Sequence, residues 1–257
     1  MIIKYFTYLN TYIVFNILAY NQINMNYLQN KVCFITGASK GIGKATSVQL
    51  LELGAKVFDF SRTHQLASEV QHPNLYSFKG DVSEEAEVSA GFAECVKQFG
   101  TVDILLNNAG LGLTSPDLAE TELEVYEKMM VTNMRGVFLC NRAAFKIMKA
   151  KKQGHIATVI SMAGQRTNPN APIYCASKFG ARGLSSGLAD QAVKLGIKVT
   201  DINPGPTDSD YWGDRQVPRE KFLKVEQVAN TIIFVLNQPD EVLIREINFD
   251  NIKFLMG

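Results

Sequence analysis

The 257-residue chain is short of the features that would place it in several large protein classes. Its four cysteines, Cys33, Cys95, Cys140 and Cys175, include no CxxC pair and form no metal-like cluster with the three histidines. That pattern reads as reduced thiols in an intracellular protein, so a cytoplasmic chain without a metal site is expected. An excess of one charge sign is also missing. The formal net charge is +1, which offers no bulk attraction to nucleic acid or to an anionic membrane, and neither is expected as a partner. At 46% hydrophobic and 20% charged residues, the composition excludes a disordered chain and supplies a sizeable core. No repeat, low-complexity tract or linker divides residues 25–257, so they read as a single domain, within the length one α/β domain can reach.

The first 24 residues do not match the rest. MIIKYFTYLNTYIVFNILAYNQIN contains no Gly, no Pro, no acid and a single charge, Lys4. Its apolar stretch, 12–20, is interrupted by Asn16 and falls well short of the ~20 residues a membrane span needs. No small-residue cleavage site of the signal-peptide kind follows it. The leader is rich in Ile, Asn, Tyr and Phe, the residues that AT-rich codons specify. The expectation is that Met25 is the natural start and the leader an over-extended reading frame. A weak interfacial anchor is the alternative, and the intact mass of the natively expressed protein separates the two.

From Lys31 onward short apolar runs alternate with amphipathic stretches. Strands are expected at 32–36, 56–60, 75–79, 102–106, 155–160, 197–202 and 241–247. Helices are expected at 41–53, 83–99, 131–152, 172–195 and 225–236, with Ser83 as an N-cap and Glu84, Glu85 and Glu87 where a helix dipole favours acids. Lys149, Lys151 and Lys152 before Gly154 suit a helix C-terminus. Apolar strands separated by helices call for a parallel sheet buried on both faces. The expected fold is therefore α/β, a single Rossmann-type doubly wound sheet of about seven strands with its ligand crevice at the strands' carboxyl ends.

Several polar residues fall at that edge. The first strand-to-helix turn reads Thr36-Gly37-Ala38-Ser39-Lys40-Gly41-Ile42-Gly43, a glycine-rich turn that can bring amides against a pyrophosphate at a helix N-terminus. Tyr174 and Lys178 lie one helical turn apart, on one face, where a cation can favour the phenolate over the ordinary tyrosine pKa of ~10. Ser161 follows one strand, Asn107-Asn108-Ala109-Gly110 another, and Asn133 lies inside a helix, where Asn needs partners.

With GDV at 80–82, Ser161-Met162-Ala163-Gly164, YCASK at 174–178 and NPGP at 203–206, the order and spacing of these motifs resemble the short-chain dehydrogenase/reductase family over about residues 30–247. The resemblance implies hydride transfer between the nicotinamide of a bound dinucleotide and a small carbonyl or alcohol. It implies Tyr174 as general acid/base, Ser161 as hydrogen-bond donor to the substrate oxygen, and Lys178 as holder of the nicotinamide ribose that also depresses the tyrosine pKa. Asn133 would anchor a water linking Lys178 to solvent. The implied cofactor site comprises Gly37, Ser39, Lys40, Gly41, Ile42, Gly43, Ser61, Arg62, Asp81, Val82, Asn108, Ala109, Gly110, Tyr174, Lys178, Pro204, Gly205, Thr207 and Ser209, with Asp81 meeting the adenine.

A carboxylate at the end of the second strand selects NAD(H), whereas a cation accommodates the 2′-phosphate of NADP(H). In family register that position is Ser61, followed by Arg62 and with Lys40 in reach, which favours NADP(H). Asp59 is the competing reading, and would favour NAD(H) if the strand ended two residues sooner. Departures from the family pattern are Thr207-Asp208-Ser209 after NPGP, with extra acids at Asp208 and Asp210, and a tail lacking a Gly-rich turn. The tail argues against a tetramer paired through the last strand, so a homodimer through 131–152 and 172–195 is expected, with the tetramer as the alternative. Gln165, Arg166, Asn168, Asn170, Tyr211, Trp212 and Pro218 would border an open substrate site for a polar carbonyl compound, with Arg166 a candidate for a carboxylate. An NADP(H)-binding sensor without turnover would not need Ser161, Tyr174 and Lys178 together.

Overall fold

The computed structural model describes residues 26–113 and 117–256. The leader and the Met25 start lie outside them. Among the described residues the strands are, in chain order, β1 (Val32–Thr36), β2 (Lys56–Ser61), β3 (Leu75–Lys79), β4 (Ile104–Asn107), β5 (Gly154–Val159), β6 (Ile197–Pro204), β7 (Thr207–Asp208), β8 (Leu223–Lys224) and β9 (Glu246–Phe249). β7 and β8 pair with each other. The other seven form one parallel sheet in the order β3-β2-β1-β4-β5-β6-β9. Eight α-helices are described: α1 (Gly41–Glu52), α2 (Gln65–Glu69), α3 (Glu85–Phe99), α4 (Leu123–Met130), α5 (Gly136–Lys151), α6 (Pro172–Ala192), α7 (Val225–Leu236) and α8 (Ile252–Leu255).

Strand residues pack alternately into two apolar layers, as a sheet covered on both faces requires. Cys33, Ile35 and Val57 pack with Leu50 and Leu51 of α1 and with Val228, Ile232 and Leu236 of α7. Val32, Phe34, Phe58 and Phe60 pack with Val88 and Phe92 of α3 and with Leu139, Ala144 and Met148 of α5. Phe34 stacks on Phe92 at 3.9 Å and on Phe58 at 5.1 Å, which gives this second layer an aromatic centre. The strand order reverses between β1 and β4, so the crevice at their carboxyl ends is the switch point where α/β sheets bind ligands.

Several boundaries differ from the sequence-based expectation. Ser83 does not cap α3: its N–H donates to Asp81 Oδ1 at 2.9 Å, and the helix starts at Glu85 with Glu84 as N-cap. The helix expected at 131–152 begins earlier, as α4, and passes through a five-residue π-turn, Val131–Arg135, into α5. α5 ends on Lys152 in the left-handed conformation, φ 53°, and Gly154 already belongs to β5. The strand expected at 241–247 is β9, shifted toward the C-terminus. Lys198 Nζ donates to the carbonyls of Gln238 and Pro239, at 3.2 and 3.0 Å, and Val242 N–H closes a turn on Pro239 O, so the chain joins the sheet late. The short elements α2, β7, β8 and α8 carry too few periodic residues to be read from sequence.

Candidate active site

The glycine turn is built on β4. Thr36 Oγ1 accepts the N–H groups of Asn108 and Ala109, both at 3.0 Å, and Asn108 Nδ2 donates to the carbonyls of Thr36 and Gly37 at 3.1 and 3.0 Å. Gly37 adopts φ +68°, and a Cβ there would lie 2.9 Å from Ala109 Cα, so both the turn and the close approach require glycine. At Gly43 a Cβ would lie 2.4 Å from Gly37 O, which fixes the packing of α1 against its own turn. Asn107 Nδ2 ties the strand end to Asn141 Oδ1 at 2.7 Å and to Thr158 Oγ1 at 3.2 Å.

This cradle fits a dinucleotide. α1 begins with no acid in its first turn, and its N-cap, Lys40, makes no side-chain cap, which leaves the helix N-terminus suited to an anion. Among the described residues a Cβ on Gly41 would meet Ser209 Cβ alone, at 3.7 Å, so Ser209 faces the turn across the crevice. Ile42 packs into the α1 core layer, and Ser39 lies half-buried in the turn. Pro204 ends β6, Gly205 N–H donates to Phe249 O at 2.8 Å, and Thr207 Oγ1 donates to Gly205 O at 3.1 Å.

At the end of β2, Ser61 is buried with its hydroxyl donating to Thr63 O at 2.7 Å, while Arg62 and Lys40 are exposed. The strand runs through Ser61, so the shorter strand that would bring Asp59 to the ribose does not occur. Asp59 is fully buried, accepts the Ser77 hydroxyl at 3.0 Å, and burial pushes its carboxyl above the ordinary carboxylate range. Asp81 uses one carboxylate oxygen on Ser83 N–H, and Val82 is buried beneath Gly136.

The catalytic candidates come from three elements. Ser161 follows β5 at φ 150°, an unusual backbone conformation for a residue other than glycine, and its Oγ accepts Ala163 N–H at 3.1 Å. Tyr174 and Lys178 lie on the first turns of α6, which opens with Pro172. Burial pushes the Tyr174 phenol up from its ordinary value, and hydrogen bonding to Tyr211 and Ser161 pulls against that. Lys178 Nζ is buried, donates to Val159 O at 3.0 Å and lies 5.8 Å from the Tyr174 ring centre. Desolvation lowers its pKa to about 8. A Cβ on Gly110 would be 3.6 Å from both Lys178 Nζ and Asn133 Oδ1, which places the NNAG turn between them.

Asn133 lies in the π-turn, an irregularity common at functional sites. Its amide is occupied by Leu111 and by Ser177 Oγ. Arg166 is paired with Asp250 at 3.1 Å, and Asp208 accepts Arg219 and Lys224 at 3.0 and 2.8 Å, which balances one of the extra acids. No sequence pattern marks the contact of Tyr211 with Tyr174, whose ring centres are 5.8 Å apart. Among the described residues no helix is long and apolar enough to cross a membrane.

A family model described as "short chain dehydrogenase" matches residues 31–219. The chain belongs to the short-chain dehydrogenase family. This short-chain dehydrogenase is 32% identical over 227 residues to an uncharacterized oxidoreductase of Staphylococcus haemolyticus, covering 87% of this chain and 98% of that one. The structure of ElxO with NADP bound superposes with a TM-score of 0.79 at 27% identity, covering 88% of this chain and 100% of that one. A 3-ketoacyl-(acyl-carrier-protein) reductase from Brucella melitensis, complexed with NADH, gives a TM-score of 0.79 at 29% identity, covering 87% and 98%. The chain is thus an oxidoreductase of this family with its Rossmann-type sheet.

Proposed function

We propose that this short-chain dehydrogenase is an NADP(H)-dependent oxidoreductase, with residues 25–257 as one catalytic domain, that interconverts a small carbonyl compound and its alcohol. The observation that carries the reading is the convergence of Ser161, Tyr174 and Lys178 at the carboxyl edge of the sheet, beside the glycine turn that opens α1. When bound, the nicotinamide supplies or accepts the hydride at the substrate carbon. Tyr174 gives its proton to the oxygen as the carbonyl is reduced and takes it back when the alcohol is oxidised. Ser161 donates a hydrogen bond to the same oxygen and stabilises the charge that develops there. Lys178, cationic near neutrality with its pKa at about 8, favours the phenolate left on Tyr174.

The preference for NADP(H) rests on this chain's own residues, since ElxO holds NADP while the ketoacyl reductase holds NADH. Arg62 and Lys40 are exposed beside an uncharged Ser61, and Asp59 is buried away from the surface. A guanidinium favours the 2′-phosphate, and no carboxylate stands in the position that would repel it. The four cysteines are buried free thiols, which supports a cytoplasmic location.

The test is oxidation of NADPH and NADH by purified protein across aldehydes, diketones, 3-oxo acids and 3-oxoacyl thioesters. Turnover with NADPH in preference to NADH is expected. Tyr174→Phe should keep NADPH affinity and lose about 10²-fold or more in kcat. Undiminished turnover in that variant would refute the mechanism.

A further inference from the structure

Tyr211 belongs to a short 3₁₀ turn, Asp210–Trp212, capped by the Ser209 that faces the glycine turn at Gly41. Its ring packs against the Tyr174 ring at 5.8 Å, tilted by 54°. A Cβ on Gly112 would lie 1.7 Å from the Tyr211 hydroxyl oxygen and 2.2 Å from the carbon bearing it. The hydroxyl therefore fills the space that a side chain at position 112 would take. Gly112 does not adopt a left-handed φ, so its backbone conformation alone does not require glycine.

Arg215 holds the phenol ring as well. Arg215 lies 5.0 Å from the ring centres of both Tyr211 and Trp212, and its guanidinium donates to the carbonyls of both residues. Trp212 Nε1 donates to Thr207 O at 2.7 Å, and the indole packs on Phe222 at 5.0 Å. Removing only the hydroxyl should leave this aromatic packing in place.

We infer that Tyr211 is a positioning residue for the proton donor: seated over Gly112, its hydroxyl donates to the Tyr174 oxygen and holds that phenol toward the substrate. A phenol oxygen has one proton to give and two lone pairs to accept with. Tyr174 can therefore accept from Tyr211 while donating to a substrate oxygen, and successive hydroxyls polarise one another in this sense. Burial and the neighbouring Tyr174 push the Tyr211 phenol far up, so it keeps its proton and remains a donor. The titratable and charged groups facing the pair are Lys178, 5.8 Å from the Tyr174 ring, Arg215 over the Tyr211 ring, and Cys175 beside Tyr174. Ser161 completes a set of three hydroxyls.

The inference rests on Tyr174 being the acid/base, so the experiment reads Tyr174 in two ways. The first is the pH profile of alcohol oxidation, which needs the phenolate, in wild type, Tyr211→Phe and Gly112→Ala. Both variants should move the profile to higher pH by about one unit, so that turnover at neutral pH falls about tenfold and recovers in alkali. Equal loss at every pH would mark a packing role, and an unmoved profile with lowered KM would mark a lid; either overturns the inference. The second reading is the ultraviolet phenolate titration of the full chain with NADP+ added, taken as wild type minus Tyr174→Phe. It follows Tyr174 even if no substrate in the panel turns over, so failure of the proposed activity and failure of this inference are told apart. Tyr211→Phe should raise that midpoint, and an unchanged midpoint would overturn the assignment.

Discussion

Asn133 holds Leu111 by both ends of its amide: Leu111 N–H donates to Asn133 Oδ1, and Asn133 Nδ2 donates to Leu111 O, each at 2.7 Å. The same Nδ2 donates to Ser177 Oγ at 2.9 Å, and Ser177 Oγ donates to Tyr174 O at 2.7 Å. One side chain therefore fixes the chain that follows NNAG and joins it to the helix carrying Tyr174. The π-turn brings this Asn inward, against the helix propensity of the residue.

Asn133→Ala should be costly for that reason. It removes three hydrogen bonds and leaves the polar groups of Leu111 with no other hydrogen-bond partner among the described residues. About 2–4 kcal/mol of stability should be lost, at ~1 kcal/mol or more for each buried group left unpaired. Urea denaturation measures the loss, and kcat should fall more than NADPH affinity because the cradle itself stands on Thr36 and Asn108. A variant as stable as wild type would show that the Leu111 segment is held by other contacts.

The cofactor preference is open to a direct test at Arg62. Arg62→Ala should weaken NADPH binding about tenfold or more and leave NADH binding nearly unchanged, as loss of a charge-assisted contact to one phosphate requires. Fluorescence titration with both nucleotides decides it. Equal weakening of the two would assign Arg62 to the shared part of the dinucleotide.

The sheet and the glycine turn were legible in the sequence because each rests on a local pattern. β1, β3 and α7 fall at the expected residues, since an apolar run bounded by glycine or by charge has few other solutions. Ser61 ahead of Arg62 is likewise a matter of register along one strand. The π-turn was not legible, because it depends on a distant wall at Leu111 that sequence periodicity does not encode. The seat of Tyr211 over Gly112 needs two loops about a hundred residues apart to meet, and neither carries a repeat or motif that marks the meeting. The shift of β9 depends in the same way on where Lys198 anchors Gln238 and Pro239.

Exposed apolar side chains on α4, α5 and α6 make the homodimer testable. Leu123 is 67% exposed, Tyr126 and Phe138 44% each and Phe179 40%. Scattered apolar residues are ordinary on a surface, but Phe138 and Phe179 belong to the two helices expected to pair, and α4 leads into the first of them through the π-turn. Sedimentation equilibrium of the wild type should give twice the chain mass, and Phe179→Glu should shift it toward the monomer with the fold retained. A monomeric wild type would refute the pairing.

His155 makes stability depend on pH on the acid side. Its Nε2 lies 2.8 Å from Thr200 Oγ1, whose own proton goes to Ile244 O at 2.6 Å, so the ring must donate from Nε2. Nδ1 is buried with no hydrogen-bond partner among the described residues, and a proton there would be an unpaired charge near Lys198. Burial, with Lys198 adding to it, lowers the ring to about 3 from 6.5. Between those values the unfolded chain binds a proton that the folded chain refuses, so the contribution is fully present above pH ~6.5 and is lost as pH falls toward 3, by at most about 1.4 kcal/mol per unit. Asp201 acts in the opposite sense, because burial raises its carboxyl from 3.8 to about 6 and the folded chain keeps the extra proton across that window. The two partly cancel in wild type, so the measurement is a difference. His155→Gln should gain on wild type as pH falls from 6.5 to 4, by roughly 1 kcal/mol per unit at most, in urea denaturation at stepped pH. Parallel curves for the two proteins would show that the unfolded chain takes up no proton there that the fold excludes.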